Sequence, residues 1–99
     1  MNELIRQKFG VGDIDPLTGV PPENLEEARR TVELWSDARR SDLRQLVRAV
    51  RKEPLPAWKQ SVLAKVLARD ALRLTGRRRQ TVLLALAAVD QDFDALAQL

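Results

Sequence analysis

The last nineteen residues of the chain carry the pattern that most constrains its fold. The apolar positions between Thr81 and Leu99 are spaced four, three, four and three residues apart: Val82, Leu86, Val89, Phe93 and Leu96. An α-helix with about 3.6 residues per turn places such positions in one narrow stripe. Residues 82–89 have almost no polar side chain, so we expect neighbours to cover them on all sides. The pattern predicts the central helix of a bundle.

Two further helices are predicted upstream of this one. The Asn-Leu-Glu-Glu sequence that begins at Asn24 is typical of a helix N-terminus, and the apolar phase that follows continues to Val50. The sequence favours one helix over this whole stretch, although Ser36-Asp37 and Ser41-Asp42 are alternative break points. Pro56 begins the next helix and Gly76 ends it. The expected helices cover about 23–52, 56–75 and 80–97.

The N-terminal part is a short helical segment followed by a loop. Residues 1–9 gather apolar side chains on one side, but a helix of this length needs a docking surface to be stable. Residues 10–22 hold three of the four glycines and three of the five prolines, which indicates a loop. We therefore predict an all-α fold in a single domain over residues 1–99. Residues 1–22 form the N-terminal segment and Gly/Pro loop, and residues 23–99 form a small bundle of three main helices.

Composition argues against catalysis. The chain has no cysteine, histidine or tyrosine, which removes thiolate ligands, the most frequent neutral-pH base and the phenolic acid. We expect no enzyme activity, no metal, no cofactor and no small-molecule substrate. No run approaches the roughly 18 apolar residues of a membrane span, and no export signal precedes the first helix. These features predict a cytoplasmic protein without membrane contact.

The charge is unevenly distributed along the chain. Residues 28–79 carry fifteen Lys and Arg against five acids, whereas the two flanking segments are net acidic. Two basic rows stand out at helical spacing: Arg40, Arg44 and Arg48, and then Lys65, Arg69 and Arg73. Like charges at this spacing repel by about 0.2 to 0.5 kcal/mol per pair, so folding alone does not favour them. Two such rows along one groove would bind a phosphate backbone.

Internal ion pairing is the alternative explanation of these charges. If the first and last main helices run parallel, the end with Glu23, Glu26 and Glu27 lies near Arg73 and Arg77–Arg79. The opposite end then brings Arg48, Arg51 and Lys52 near Asp90 and Asp94. This arrangement would leave only a modest basic patch without partners: Arg39, Arg40, Arg44, Lys65 and Arg69.

The two tryptophans point to protein contacts. Trp35 lies in the core stripe, and Trp58 lies on the outward face of its helix with Val62 and Lys65. Either the N-terminal segment covers Trp58 through Leu4, Ile5 and Phe9, which the pattern favours, or Trp58 is an exposed interface residue beside arginines. An unbroken helix over 23–52 would also outrun its neighbours and leave apolar surface for a second copy or another protein.

The sequence thus predicts a non-catalytic helical binding protein that acts by protein–protein contact, as a homodimer, an adaptor or an inhibitor of a larger assembly. The alternative is a sequence-independent nucleic-acid-binding protein that uses the basic patch on the second and third helices. A helix-turn-helix reader is not expected, because the helix after Gly76 is too apolar to face a groove. The candidate binding residues for both interpretations are Arg39, Arg40, Arg44, Trp58, Lys65, Arg69 and Arg73.

Overall fold

The computed structural model describes residues 2–10 and 12–98, and over these residues it is all-helical, with no strand. This confirms the predicted fold class. The number of helices is different, because the described residues form six α-helices. They are α1 (Asn2–Phe9), α2 (Leu25–Trp35), α3 (Arg40–Lys52), α4 (Ala57–Arg73), α5 (Gly76–Val89) and α6 (Gln91–Ala97), with a 3₁₀ turn over Pro22–Asn24 before α2.

The helix expected over 23–52 is two helices. α2 ends at Trp35 and α3 begins at Arg40. Between them Asp37 has a φ of 56°, in the left-handed region that Asp tolerates better than most residues. Its backbone N–H donates a hydrogen bond of 3.0 Å to the Asp70 carboxylate in α4. The prediction of one long helix was wrong because this tertiary contact stabilises the break, while the apolar phase continues across it.

The helix expected over 80–97 is also interrupted. α5 begins earlier, at Gly76, and extended backbone at Asp90 separates it from α6. The Asp90 side chain accepts a hydrogen bond of 3.1 Å from the backbone N–H of Phe93, which caps the N-terminus of α6. Asp90 therefore begins a new helix as its capping residue, whereas the periodicity alone predicted one continuous helix over 80–97.

The apolar stripe of the last two helices faces the core, except at its end. Val82, Leu86, Val89 and Phe93 are all buried, as predicted, whereas Leu96 is 41% exposed. The expectation that residues 82–89 are covered on all sides is also wrong, because Leu84 is 69% exposed. α5 is therefore a helix with one open face.

Two helices share the centre of the bundle. α4 packs against α1, α2 and α5, and eight of its seventeen residues are buried. α5, which belongs to the stretch predicted to be central, packs against α3, α4 and α6. Val62, predicted to face outward, is completely buried and packs with Val66 and with Ala28 of α2 in a small second cluster. Trp35 is half-buried against both this cluster and the main core, which agrees with its predicted inward position.

The N-terminal segment docks on the bundle. α1 packs against α4 and α6, and Ile5 is completely buried. Trp58 is half-buried against the second cluster, which the loop residues Leu17 and Val20 also cover. The apolar residues of α1 expected to cover Trp58 pack on the main core instead: Leu4, Ile5 and Phe9. Trp58 and the two loop residues thus pack on the same cluster, which accounts for the partial burial of Trp58.

Candidate partner-binding groove

α3 and α5 pack side by side, and a groove of about 480 Å³ lies between their outer faces. Five of the nine residues that line it are arginines, four from α3 and one from α5. The full lining is Arg40, Arg44, Val47, Arg48, Arg51, Arg77, Gln80, Thr81 and Leu84. We call this surface the arginine groove.

Helical spacing explains why the arginines converge. Arg40, Arg44, Arg48 and Arg51 follow one another at intervals of four, four and three residues, which places them in one row along α3. The adjacent side of α3 carries the buried Leu43 and Leu46, which anchor the helix on the core. Packing of this side therefore directs the arginine row to the outer edge of the α3–α5 contact.

The charged side chains that line the groove are all positive. None of the described residues that line it is acidic, and within the described part of the chain none of its five arginines forms an ion pair. Arg40 is held in place by a neutral partner, because its Nε donates to Thr81 Oγ1 over 3.2 Å. The Thr81 hydroxyl in turn donates to the Arg77 carbonyl oxygen over 3.0 Å. The groove presents guanidinium groups, which suit carboxylate or phosphate oxygens.

An apolar surface adjoins the groove. A second concavity of about 350 Å³ shares Gln80 and Leu84 with the arginine groove, so the two surfaces are continuous. Its remaining lining comes from α5 and α6 and is entirely apolar: Leu83, Ala87, Phe93 and Ala97. We call Leu83, Leu84, Ala87 and Ala97 the apolar shelf. Leu84 projects at the boundary between the two surfaces.

The structure divides the predicted site residues between different places. Arg40 and Arg44 lie together in the arginine groove. Arg39 is exposed and directly precedes α3, outside the groove lining. Trp58 is half-buried in the second hydrophobic cluster.

The three basic residues predicted on α4 hold the fold together. Lys65 Nζ donates to the Thr18 carbonyl oxygen over 2.9 Å and so ties the loop to α4. Arg69 Nη2 donates to Ser36 Oγ over 3.1 Å, at the break between α2 and α3. Arg73 binds Asp37 and Asp70. The two basic rows therefore do not line one groove.

The contacts of Arg73 form a polar clasp across the α2–α3 break. Asp70 is only 3% exposed, and its carboxylate accepts from Arg73 Nη2 over 3.1 Å and from the Asp37 N–H over 3.0 Å. The hydrogen bond from Arg73 lowers the pKa of Asp37 below its ordinary value of 3.8, and the same bond raises the pKa of Arg73. Arg78 adds a longer contact to Asp37, at 3.7 Å. We call Asp37, Asp70 and Arg73 the clasp.

The internal ion pairs differ from those that the sequence suggested between the ends of the main helices. Arg73 pairs with the clasp carboxylates, and Lys8 pairs with Asp90 over 3.4 Å. Among the described residues, no ion pair joins the acidic start of α2 to the arginines of α4 and α5, or the end of α3 to Asp90 or Asp94. As a result, Arg48 and Arg51 remain available in the groove.

Sequence reasoning missed three of the five arginines of the groove and the exposed leucine at its boundary. Arg48 and Arg51 lie in the same row as Arg40 and Arg44, but pairing with the C-terminal acids had been expected to neutralise them. Arg77 lies between the helices predicted over 56–75 and 80–97, and Leu84 lies in the segment 82–89 that was predicted to be fully covered. The row itself was a usable signal for two of these four residues, because Arg48 and Arg51 continue the period of the other two.

Comparisons with known proteins give no family for this chain: no family model matches the sequence, and neither a curated protein nor a solved structure is similar to it. Within the described residues, no helix is both long enough and apolar enough to cross a bilayer. The structure thus defines an all-α chain with an arginine groove beside an apolar shelf.

Proposed function

We propose that this chain is a non-catalytic binding protein that contacts a partner protein through the α3–α5 face. The observation that carries the proposal is the continuity of the arginine groove with the apolar shelf through Leu84. An exposed apolar patch rimmed by polar residues is typical of protein interaction sites. Arginine is enriched at such sites, and lysine is depleted. The groove lining has five arginines and no lysine.

A partner other than a second copy is favoured by two features. The helix expected over 23–52 suggested a homodimer because it would have outrun its neighbours, but α2 and α3 have eleven and thirteen residues and both pack within the bundle. In addition, a two-fold contact centred on Leu84 would bring the arginine grooves of both copies close together. Like charges across an interface oppose association.

Sequence-independent binding of nucleic acid is the second candidate. It is favoured by the five arginines that lack ion pairs within the described residues, because phosphate oxygens would suit them. Lys65 and Arg69, expected in the phosphate strip, bind the loop and the α2–α3 break instead. A phosphate backbone would also leave Leu84 and the shelf without a role. For these reasons protein binding is the first proposal.

The test uses two exposed leucines as a matched pair. Leu84 and Leu34 are 69% and 70% exposed, and only Leu84 borders the groove. Tagged wild type, Leu84→Asp and Leu34→Asp are expressed in the native source, and each lysate is divided into a nuclease-treated and an untreated half before cross-linking and purification. We expect a protein that copurifies with wild type and Leu34→Asp and is depleted with Leu84→Asp. Purified, it should bind the wild type directly in a calorimeter.

Two outcomes would overturn protein binding at this face. One is that every copurifying protein is released by nuclease treatment, which would favour the phosphate interpretation. The other is that both leucine variants retain their partners equally. Circular dichroism of each variant checks that the substitution leaves the helix content unchanged.

A further inference from the structure

We propose that the partner presents an acidic amphipathic helix to this surface, with carboxylates on the arginine groove and apolar side chains on the shelf. This inference rests on the proposed function and names the chemistry of the partner. Three observations support it. The arginines of the groove repeat with a helical period, the shelf lies beside them, and the chain's own acidic helices also carry or bind basic residues.

The arginines repeat with a helical period. Because Arg40, Arg44 and Arg48 follow one another at intervals of four residues, successive members of the row are separated by roughly 6 Å along α3. The row to Arg51 extends for roughly 16 Å. Glutamates at every third or fourth position of a second helix repeat at about the same distance. A helix of three turns laid along α3 can therefore place one carboxylate opposite each guanidinium group in turn.

The shelf requires the partner to be amphipathic. It lies alongside the arginine groove and joins it at Gln80 and Leu84. A partner helix that binds the arginines thus has a neighbouring stripe over the shelf, where apolar side chains would remove Leu84 from water. Helices that bind in this way are recognised through apolar residues at intervals of three and four.

The chain's own acidic helices are poor occupants. In the first turn of α2, Glu26 pairs with Arg30, and Arg29 lies beside it, so this helix would bring positive charge to the groove. In α6 the capping Asp90 is bound by Lys8, and that helix has only seven residues. Neither offers three turns of acidic side chains without bases. The surface therefore fits a foreign acidic helix better than a second copy.

The experiment uses a defined probe. A fluorescein-labelled synthetic helix of fifteen residues carries glutamate on one stripe, leucine on the adjacent stripe and alanine elsewhere, and its binding to the full chain is measured by fluorescence anisotropy. Two control peptides replace every glutamate by lysine or every leucine by serine. We expect the glutamate–leucine peptide to bind most tightly, with an affinity at least about tenfold higher than that of either control peptide.

Variants of the chain identify the binding surface. Arg44→Glu should lower the affinity for the peptide by about tenfold, because one attractive pair becomes repulsive. Arg29→Glu on α2 should change this affinity by less than about twofold. Leu84→Asp should weaken it by about 10- to 100-fold, and Leu34→Asp should leave it unchanged. All four side chains are exposed, and those of Leu34 and Leu84 are exposed to nearly the same extent. We therefore expect all four variants to keep the fold.

Three results would overturn the inference. The first is equal binding of the glutamate and lysine peptides. The second is tighter binding of a 20-nucleotide single strand or duplex than of the peptide, lost in Arg44→Glu but retained in Leu84→Asp, which would assign the groove to phosphates. The third is a native partner that requires Leu84 and is not displaced by the peptide. In that last case the proposed function stands and only the acidic helix is refuted.

Discussion

Removing the buried carboxylate of the clasp, that of Asp70, should destabilise the fold. In Asp70→Ala the backbone N–H of Asp37 loses its acceptor at 3.0 Å, and Arg73 keeps only its bond to Asp37. The break between α2 and α3 then loses its backbone contact with α4 and keeps only the side-chain contacts from Arg69 to Ser36 and from Arg73 to Asp37. We expect a less stable protein in which the α2–α3 connection is the first part to open.

The magnitude follows from the environment of each bond. A hydrogen bond to a charged group contributes about 1.5 to 3 kcal/mol, and the Asp37 N–H bond reaches a carboxylate that is 3% exposed. The pair with Arg73 adds less, about 0.5 to 1 kcal/mol, because that arginine is half-exposed and keeps a second partner. Alanine recovers about 0.5 kcal/mol of helix propensity in α4. The net loss should be about 1.5 to 3.5 kcal/mol.

Urea unfolding at neutral pH, followed by circular dichroism, measures this loss. For a chain of this size it corresponds to a drop in Tm of roughly 7 to 17 °C. Asp13→Ala, which removes an exposed loop carboxylate, is the control and should stay within about 0.5 kcal/mol of wild type. The Arg73→Ala single variant and the double variant complete a mutant cycle, in which the two losses should not be additive. An Asp70→Ala protein as stable as Asp13→Ala would refute the role of the clasp.

Two further predictions concern the core and the acid response. Leu86→Asp places a charge at a completely buried position and should cost several kcal/mol, enough to unfold the chain; an unchanged circular dichroism melt would contradict the core assignment. Because the pKa of Asp37 is lowered in the folded state, its stabilisation is complete above the ordinary value of 3.8 and is lost as the pH falls through the lowered value. Asparagine tolerates the same left-handed backbone as aspartate. The free energy of unfolding of Asp37→Asn, measured by urea titration, should therefore fall less than that of wild type between pH 5 and pH 2. Parallel pH profiles would argue against this linkage.

The candidate site could be predicted only in part, as a comparison of the basic rows on α3 and α4 shows. The row from Arg40 through Arg44 is local, since neighbours four residues apart share a helix face whatever surrounds the helix. The row on α4 has the same spacing, but Lys65 and Arg69 are bound to residues 47 and 33 positions away. Spacing shows that charges share a face; it does not show what lies opposite that face.

By itself, the sequence determined the helical class and most of the core stripe, including Leu86 and Phe93. Helix formation depends on hydrogen bonds between residues four apart and on the period of apolar side chains, and both are readable along the chain. Only the tertiary structure decided where the helices break and which charges remain available. The break at Asp37 depends on a carboxylate 33 residues away, and the open face at Leu84 depends on which helices pack beside α5. These are long-range contacts, and local periodicity carries no information about them.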